Sequence, residues 1–173
     1  MIRNVRLTDS STLTAMYNYY IRTSGATFEE TEISEDEMSE RITKIHFEKH
    51  FPYIVFEEDS KIIGYAYVTS FRDRISYRFT VESTVYVHPD HFGKGIGHIL
   101  YKELLSLTKA KGFHSVIGVI TLPNDSSVRL HEKFGFKKAG HFTEVGFKFE
   151  QWMDVGFWEL QLNDKVPLTQ SQQ

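Results

Sequence analysis

Hydrophobic positions along the chain change period several times, and each change marks an element. Ile2, Val5 and Leu7 alternate with polar residues and predict a first strand. Thr8 or Asp9 then caps a helix in which Leu13, Met16, Tyr17 and Tyr20 recur at helical spacing. Gly25 to Thr31 reads as a loop. Ser34, with Glu37 three residues on, has the pattern of a capping box and opens a second helix that runs to about His50. Tyr53–Glu57 and Ile62–Ser70 predict strands joined by the turn Glu58-Asp59-Ser60. Thr80–Val87 is a further strand, followed by a glycine-rich turn from Gly93 to Gly97 and an amphipathic helix from Ile96 to Lys111 that stops at Gly112. Ser115–Thr121 predicts a strand, and Asp125–Phe134 a short helix closed by Gly135. Phe136–Ala139, the aromatic stretch near Gly146–Phe149, and Val155–Leu162 complete the sheet. Asn163–Gln173 is polar and predicts a loose tail. Strands interleaved with helices imply a mixed α/β fold around one central sheet, as a single domain over residues 1–162.

Composition narrows the function classes. The chain has 173 residues, 40% hydrophobic and 25% charged, which suits one soluble domain with a sizeable core. With 20 basic and 23 acidic side chains, its charge gives no support to general nucleic-acid or membrane binding. No apolar run approaches a membrane span, and the N-terminus lacks the apolar core of a signal peptide. There is no cysteine, so disulfides, thiolate metal sites and a cysteine acyl-enzyme are excluded. These features predict a cytoplasmic protein. His46, Glu48 and His50 share a helix, but their order, His-Phe-Glu-Lys-His, is not the His-Glu-x-x-His of zinc peptidases, and no third ligand is near; no metal is expected.

The segment from Val85 to Gly97 carries the most information. Strand, glycine turn and helix start follow one another, which lets backbone N–H groups approach a phosphate at a helix N-terminus. Lys94 adds a positive charge. The G-x-G-x-G spacing of Gly93, Gly95 and Gly97 is neither a Walker loop nor a dinucleotide fingerprint. It resembles the GCN5-related N-acetyltransferase superfamily, whose pyrophosphate signature is Gln or Arg, two residues, Gly, one residue, Gly or Ala. Gly95 and Gly97 match the glycines, while Phe92 stands where Gln or Arg is usual. Thr80-Val81-Glu82-Ser83-Thr84-Val85-Tyr86-Val87, Leu122-Pro123-Asn124-Asp125, Val128-Arg129-Leu130-His131-Glu132, and Gly146-Phe147-Lys148 with Trp152-Met153-Asp154-Val155-Gly156-Phe157-Trp158 are similar to the phosphinothricin N-acetyltransferase branch. The resemblance implies a twisted, mostly antiparallel sheet (the acyl-CoA N-acyltransferase fold) splayed near its middle. Acetyl-CoA would lie in the splay against Val85, Tyr86, Val87, Phe92, Gly93, Lys94, Gly95, Ile96, Gly97 and Asn124.

Amide formation from a thioester needs a proton acceptor at the amine, a proton for the thiolate, and alignment of the two reactants. Alternation puts Thr80, Glu82, Thr84 and Tyr86 on one face of their strand. An acid at mid-strand beside the glycine loop is an unusual placement, and its family counterpart is the proposed general base. The other reading of Glu82 is a structural carboxylate paired with an Arg such as Arg78. His131, on the short helix after Asn124, titrates near neutrality and suits either proton task, protonation of the departing thiolate above all; it can also simply pack against the cofactor arm. Asn124 is read as a contact to the pantetheine arm or as a helix cap. The resemblance assigns Arg74 and Tyr77 to the acidic head of the acceptor, with Arg72 and Arg78 close by in sequence. Phe28 matches an aromatic covering the acceptor, or else anchors its loop. The implied activity is direct acetyl transfer to a small amino-acid-like amine such as phosphinothricin, methionine sulfone or methionine sulfoximine. A different amine acceptor (polyamine, aminoglycoside or peptide) and a non-catalytic acetyl-CoA sensor are the competing readings. The aromatic residues of the C-terminal third, with the habit of this branch, predict a homodimer.

Overall fold

In the computed structural model, which describes residues 1–163, seven strands form one sheet in the order β1-β2-β3-β4-β5-β7-β6. They are β1 (Ile2–Asn4), β2 (Tyr53–Glu58), β3 (Lys61–Ser70), β4 (Thr80–Val87), β5 (Ser115–Leu122), β6 (Lys137–Lys148) and β7 (Gln151–Gln161). The principal helices are α1 (Ser10–Thr23), α2 (Glu35–Ile42), α3 (Ile96–Ala110) and α4 (Asp125–Lys133). Only β4 and β5 run parallel; every other neighbouring pair is antiparallel. This is the mixed, mostly antiparallel architecture that the sequence predicts.

Strand alternation divides the core into two layers. Leu100, Tyr101, Leu104 and Leu105 recur at helical spacing on α3 and bury against Val68, Val81 and Val116 on one face of the sheet. Leu13, Met16, Tyr17 and Ile21 of α1, with Met38 and Ile42 of α2, bury against Tyr53, Tyr65 and Tyr86 on the other. Each fully buried aliphatic side chain contributes roughly 1.5–3 kcal/mol relative to exposure. Val81 and Tyr86, five positions apart on β4, therefore serve opposite layers.

Several boundaries differ from the sequence reading, each for a local reason. Leu7 leaves the first strand for a 3-10 turn, Leu7–Asp9. Asp9 does not cap α1 through its side chain. Its carboxylate is buried and accepts from both terminal nitrogens of Arg3, at 2.8 and 3.0 Å, and from Arg6 N at 2.8 Å. Ser34 Oγ does accept from Glu37 N, but the Glu37 carboxylate turns to Arg41 rather than completing the box. The helix that follows stops being regular at Ile42. Thr43 Oγ1 draws on Ser39 O at 2.8 Å, and the chain widens to a π-helical turn over Thr43–Glu48. The expected breaks around Phe136–Ala139 and Val155 are absent. β6 and β7 form one long hairpin through Phe149 and Glu150, both with positive φ, and an irregularity between Phe142 and Gly146 breaks the alternation that marks a strand. Of the expected tail, Asn163 is held by its amide on Phe113 O at 2.9 Å, and residues 164–173 lie outside the described residues.

Arg3 joins β1 to the start of α1 through Asp9 and to β2 through Glu57, at 2.7 Å. Burial pushes the Asp9 carboxyl up, but the hydrogen bonds from Arg3 and Arg6 outweigh it and leave the group below its ordinary range. Asp9→Ala leaves Arg3 with its bond to Glu57 and frees Arg6 N, so urea unfolding at pH 7 should lose on the order of 2 kcal/mol. The stabilisation from Asp9 is complete above its unfolded pKa of about 4 and disappears as pH falls through the lower folded value. The gap between wild type and variant should therefore close in acid.

Candidate active site

Ladder pairing between β4 and β5 covers Thr80–Ser115, Val81–Val116 and Glu82–Ile117, and then stops. Beyond that point β4 stays paired with β3 as far as Val87–Gly64, and β5 with β7 as far as Leu122–Asp154. Each strand is held on its outer side, so a gap opens between Ser83–Val87 and Gly118–Leu122. Helix side chains fill the space behind it. Tyr101 of α3 meets Ser83 Oγ at 2.6 Å, and the His131 ring of α4 presses on Gly118, where an added Cβ would lie 2.4 Å from the ring. The gap is a cleft of about 510 Å³, walled by Ser83 to Val87, Val119 to Thr121, Asn124 and His131, with the glycine turn at its mouth.

The walls present the groups an extended, phosphorylated ligand requires. His88 N donates to Ile63 O on β3 at 2.9 Å, so by alternation Val87 and Val85 turn their N–H and C=O groups toward the cleft. Tyr20 Oη serves both groups of Val87, donating to its carbonyl at 2.7 Å and accepting from its N–H at 3.2 Å. At the mouth, Gly93 and Gly95 have φ of +75° and +78°, which glycine adopts without the cost a side chain would add. Gly95 is also the N-cap of α3 and offers no side-chain oxygen, leaving the helix's first N–H groups free for an anion. Gly97 has no positive φ, and a Cβ there meets only ordinary contacts at 3.7 and 3.8 Å. The fold itself does not demand that glycine. Ile96 lines the cleft from the buried face of α3, and Phe92 lines it as an exposed ring 6.4 Å from that of Tyr20. Lys94 is exposed beside the mouth and is not part of the wall. Asn124 Oδ1 caps α4 by accepting from Ser127 N at 3.1 Å, so the cap is formed, and the residue also lines the cleft.

Glu82 is the last β4 residue paired with β5, at the apex of the splay on the face opposite α3. It has no ion pair within 4 Å among the described residues. Arg78 instead donates to Ile75 O and lies over the Phe79 ring. Burial pushes the Glu82 carboxyl up from its ordinary range, with Arg72 pulling more weakly the other way. His131 is 4% exposed. Burial lowers its pKa against the raising effect of Ser127 O, which faces Nδ1 at 2.8 Å. A neutral ring with its proton held at Nδ1 carries a bare lone pair at Nε2, and Nε2 has no partner among the described residues.

The residues expected from the sequence to meet the acceptor, Phe28, Arg74 and Tyr77, lie outside the lining of that cleft. Tyr77 ends the 3-10 turn Ile75–Tyr77 between β3 and β4, its ring 5.6 Å from Phe71, with the Arg72 guanidinium over both. Arg74 caps that turn as an exposed side chain with no ion pair among the described residues. Phe28 lies across Gly146 of β6, where a Cβ would come within 2.2 Å of its ring. Gly25, in the same loop, would meet Met153 of β7 at 2.8 Å. Several wall residues escaped the sequence reading, Tyr20, Ala26 and Ser83 among them. Tyr20 fits a helix-core position, and Ser83 an inward strand position; the hydroxyl at each was the available signal.

A splayed strand pair with an open ladder edge and a glycine turn leading into a helix N-terminus is the build of an acyl-CoA transferase. Comparison with known proteins agrees. The profile of the Acetyltransferase (GNAT) domain matches residues 2–156. A phosphinothricin N-acetyltransferase of Alcaligenes faecalis is 38% identical, over 94% of this chain and 82% of its own. The L-methionine sulfoximine/L-methionine sulfone acetyltransferase of Salmonella typhimurium is 32% identical, over 94% and 95%. The crystal structure of a phosphinothricin acetyltransferase from Sinorhizobium meliloti in complex with acetyl-CoA superposes with a TM-score of 0.95 at 36% identity, covering 98% of this chain and 94% of that one. The chain belongs to the GNAT acetyltransferase family, in the branch that contains the phosphinothricin acetyltransferases. It is an acetyl-CoA-dependent N-acetyltransferase. Among the described residues no helix is long and apolar enough to cross a membrane.

Gly95→Val forces a branched side chain to φ near +78° at the cap of α3, a cost of at least 1–2 kcal/mol. Calorimetry should register acetyl-CoA binding on the order of ten-fold weaker, and the strain should lower the thermal midpoint by only a few degrees, leaving the protein folded.

Proposed function

We propose that the enzyme acetylates the amino group of a small, anionic, amino-acid-like acceptor of the phosphinothricin, methionine sulfone or methionine sulfoximine type, by direct attack in a ternary complex. The observation that carries this reading is Glu82: a half-buried, unpaired carboxylate at the apex of the splay, with Arg72 of the turn before β4 near enough to act on its charge. The names of the relatives support the same acceptor class. Acetyl-CoA supplies the activated acetyl thioester. Val85 N–H and C=O, Asn124 and the first turn of α3 hold it. Arg74 and Tyr77 take the acceptor's anionic head, where a guanidinium gives paired, charge-assisted hydrogen bonds. Phe28 covers the acceptor's other side. Glu82 accepts the ammonium proton, directly or through one water, and its raised pKa brings it nearer to that task. His131 fits the expected role of proton donor to the thiolate poorly, because Nε2 offers a lone pair and the proton sits at Nδ1. It serves as the rear wall of the cleft, and the departing thiolate takes its proton from solvent.

The absence of cysteine and the use of acetyl-CoA suit the cytoplasm. We infer a homodimer as well. β6 is an edge strand of twelve residues with little cover, and Phe142, Val145, Phe147 and Trp152 lie exposed on it or beside it. Light scattering at micromolar concentration should give twice the chain mass of 20.2 kDa; a monomer would remove that inference.

Release of free CoA, measured against amino acids, sulfones, polyamines, aminoglycosides and peptide amines, tests the acceptor class. Anionic amino-acid analogues should turn over fastest. A preference for polyamines or peptides would overturn the proposal, and no release with any acceptor would favour an acetyl-CoA sensor. Glu82→Gln keeps the shape and removes the proton acceptor. It should lower kcat by roughly two to four powers of ten with acetyl-CoA affinity intact. Part of that loss should return at high pH, where free amine forms unaided. In the wild type the acid limb of kcat should lie above the ordinary glutamate value of about 4.3. His131→Ala should be the milder lesion.

A further inference from the structure

Lys148 is a buried cation that the reaction does not use. It closes β6, opposite Gln151, and is 2% exposed. Its ammonium donates to two backbone carbonyls, Ser24 O at 2.9 Å and Thr27 O at 2.8 Å, and lies 4.9 Å from the centre of the Phe149 ring. No carboxylate comes within 4 Å among the described residues, although Glu29 and Glu30 are near enough to oppose the depression of its pKa by burial. A charge placed in such surroundings needs a reason, because desolvation disfavours it. The two carbonyls provide one. They belong to the loop between α1 and α2, where no strand can satisfy them, and a lysine offers three donors and no acceptor.

Those carbonyls lead up to Phe28, and Thr27 O belongs to the peptide bond directly before it. The Phe28 ring lies on Gly146, two residues before Lys148 on the same face of β6, and Gly25 leans on Met153 of β7. On its other side the loop is tied to α1, where Tyr17 Oη meets Thr27 Oγ1 at 2.8 Å. The β6–β7 hairpin thus supplies a seat for Phe28 and a fastener beside it. We propose that Lys148 is a positioning residue that latches the 24–28 loop onto the β6–β7 hairpin and thereby holds Phe28 over the acceptor. It acts chiefly on acceptor binding through Phe28 and not on the proton transfer; Ala26 of the same loop lines the cofactor cleft, so the cofactor feels the latch only at that one residue. The inference rests on the proposal that Phe28 covers the acceptor.

Lys148→Met preserves most of the volume and removes the donors. With L-methionine sulfone as acceptor, KM should rise on the order of ten-fold, while kcat at saturation changes by less than about two-fold and acetyl-CoA affinity by calorimetry by less than about three-fold, since only Ala26 of the loop touches the cleft. Hydrogen exchange of the backbone amides of residues 24–28 should quicken, with exchange in α3 unaltered. Because the lysine acts through the ring, Phe28→Ala combined with Lys148→Met should be no worse in KM than Phe28→Ala alone. Gly146→Ala leaves the lysine in place and drives a methyl into the Phe28 ring. It should give the same rise in KM, and it provides the test if Lys148→Met does not fold. Unchanged exchange at 24–28 overturns the latch. Multiplying effects in the double variant, or a joint fall of kcat and acetyl-CoA affinity, overturn action through Phe28. Faster exchange with unchanged KM in both Lys148→Met and Phe28→Ala overturns the acceptor-covering reading on which the inference stands.

Discussion

The parallel pairing of β4 with β5 ends at Glu82 and Ile117, and the active site is a consequence of where it ends. A sheet that zipped shut through Val87 and Leu122 would satisfy more backbone groups, since each amide left without a partner away from water costs about 1–3 kcal/mol. The chain forgoes those bonds because both strands are fully engaged on their outer sides and because His131, Tyr101 and Ser83 occupy the space behind the gap. What remains is a row of strand N–H and C=O groups that an extended, amide-bearing ligand can pair with as a missing strand would. The same termination places Glu82 at the one position where a β4 side chain borders both the intact sheet and the opening.

The two faces of the sheet divide the labour. Behind β4 and β5, α3 and α4 supply an aliphatic and aromatic wall together with the helix N-terminus that meets phosphate. In front, Tyr17, Tyr20, Tyr65 and Tyr86 pack ring against ring, with centroids 4.7 to 5.4 Å apart along the chain of contacts. Burial drives the phenols of Tyr65 and Tyr86 well above their ordinary values, so they remain neutral. This layer packs the Glu82 face of β4 with neutral rings and introduces no charge of its own there. Tyr20 belongs to both systems, since it packs on Tyr86 and closes the hydrogen bonds of Val87.

Much of this was legible in the sequence. Alternation along Thr80–Val87 assigned Glu82 and Tyr86 to one face and Val81 to the other, and the amphipathic pattern of Ile96–Lys111 marked a helix with one face in the core. The glycine turn was read as a phosphate site on Gly95 and Gly97; backbone conformation accounts for glycine at 93 and 95 but not at 97. Less legible was anything set by contacts between distant segments. Asp9 looked like a cap because short acids before helices usually are, and only the arrival of Arg3 from β1 changes its role. The β6–β7 hairpin was read in pieces because its turn, Phe149-Glu150, lacks the glycine or asparagine that usually marks positive φ, and because Glu144 carries a third such residue inside the strand. The proton on His131 could not be read at all: it depends on Ser127 O, one turn back along α4.

The acceptor side has a further property. Three segments are proposed to form that side: the loop after α1, the turn before β4, and the β6–β7 hairpin. Of these, only the loop after α1 reaches the cofactor cleft, through Ala26. Substitutions in the turn before β4, where Arg74 and Tyr77 are exposed, would therefore change the proposed acceptor contacts without touching the cleft lining, and their stability cost would fall on an exposed loop rather than on the core. A lineage built this way can explore new acceptors through that turn while every intermediate still binds its donor, so the open strand pair acts as a fixed chassis for changing chemistry.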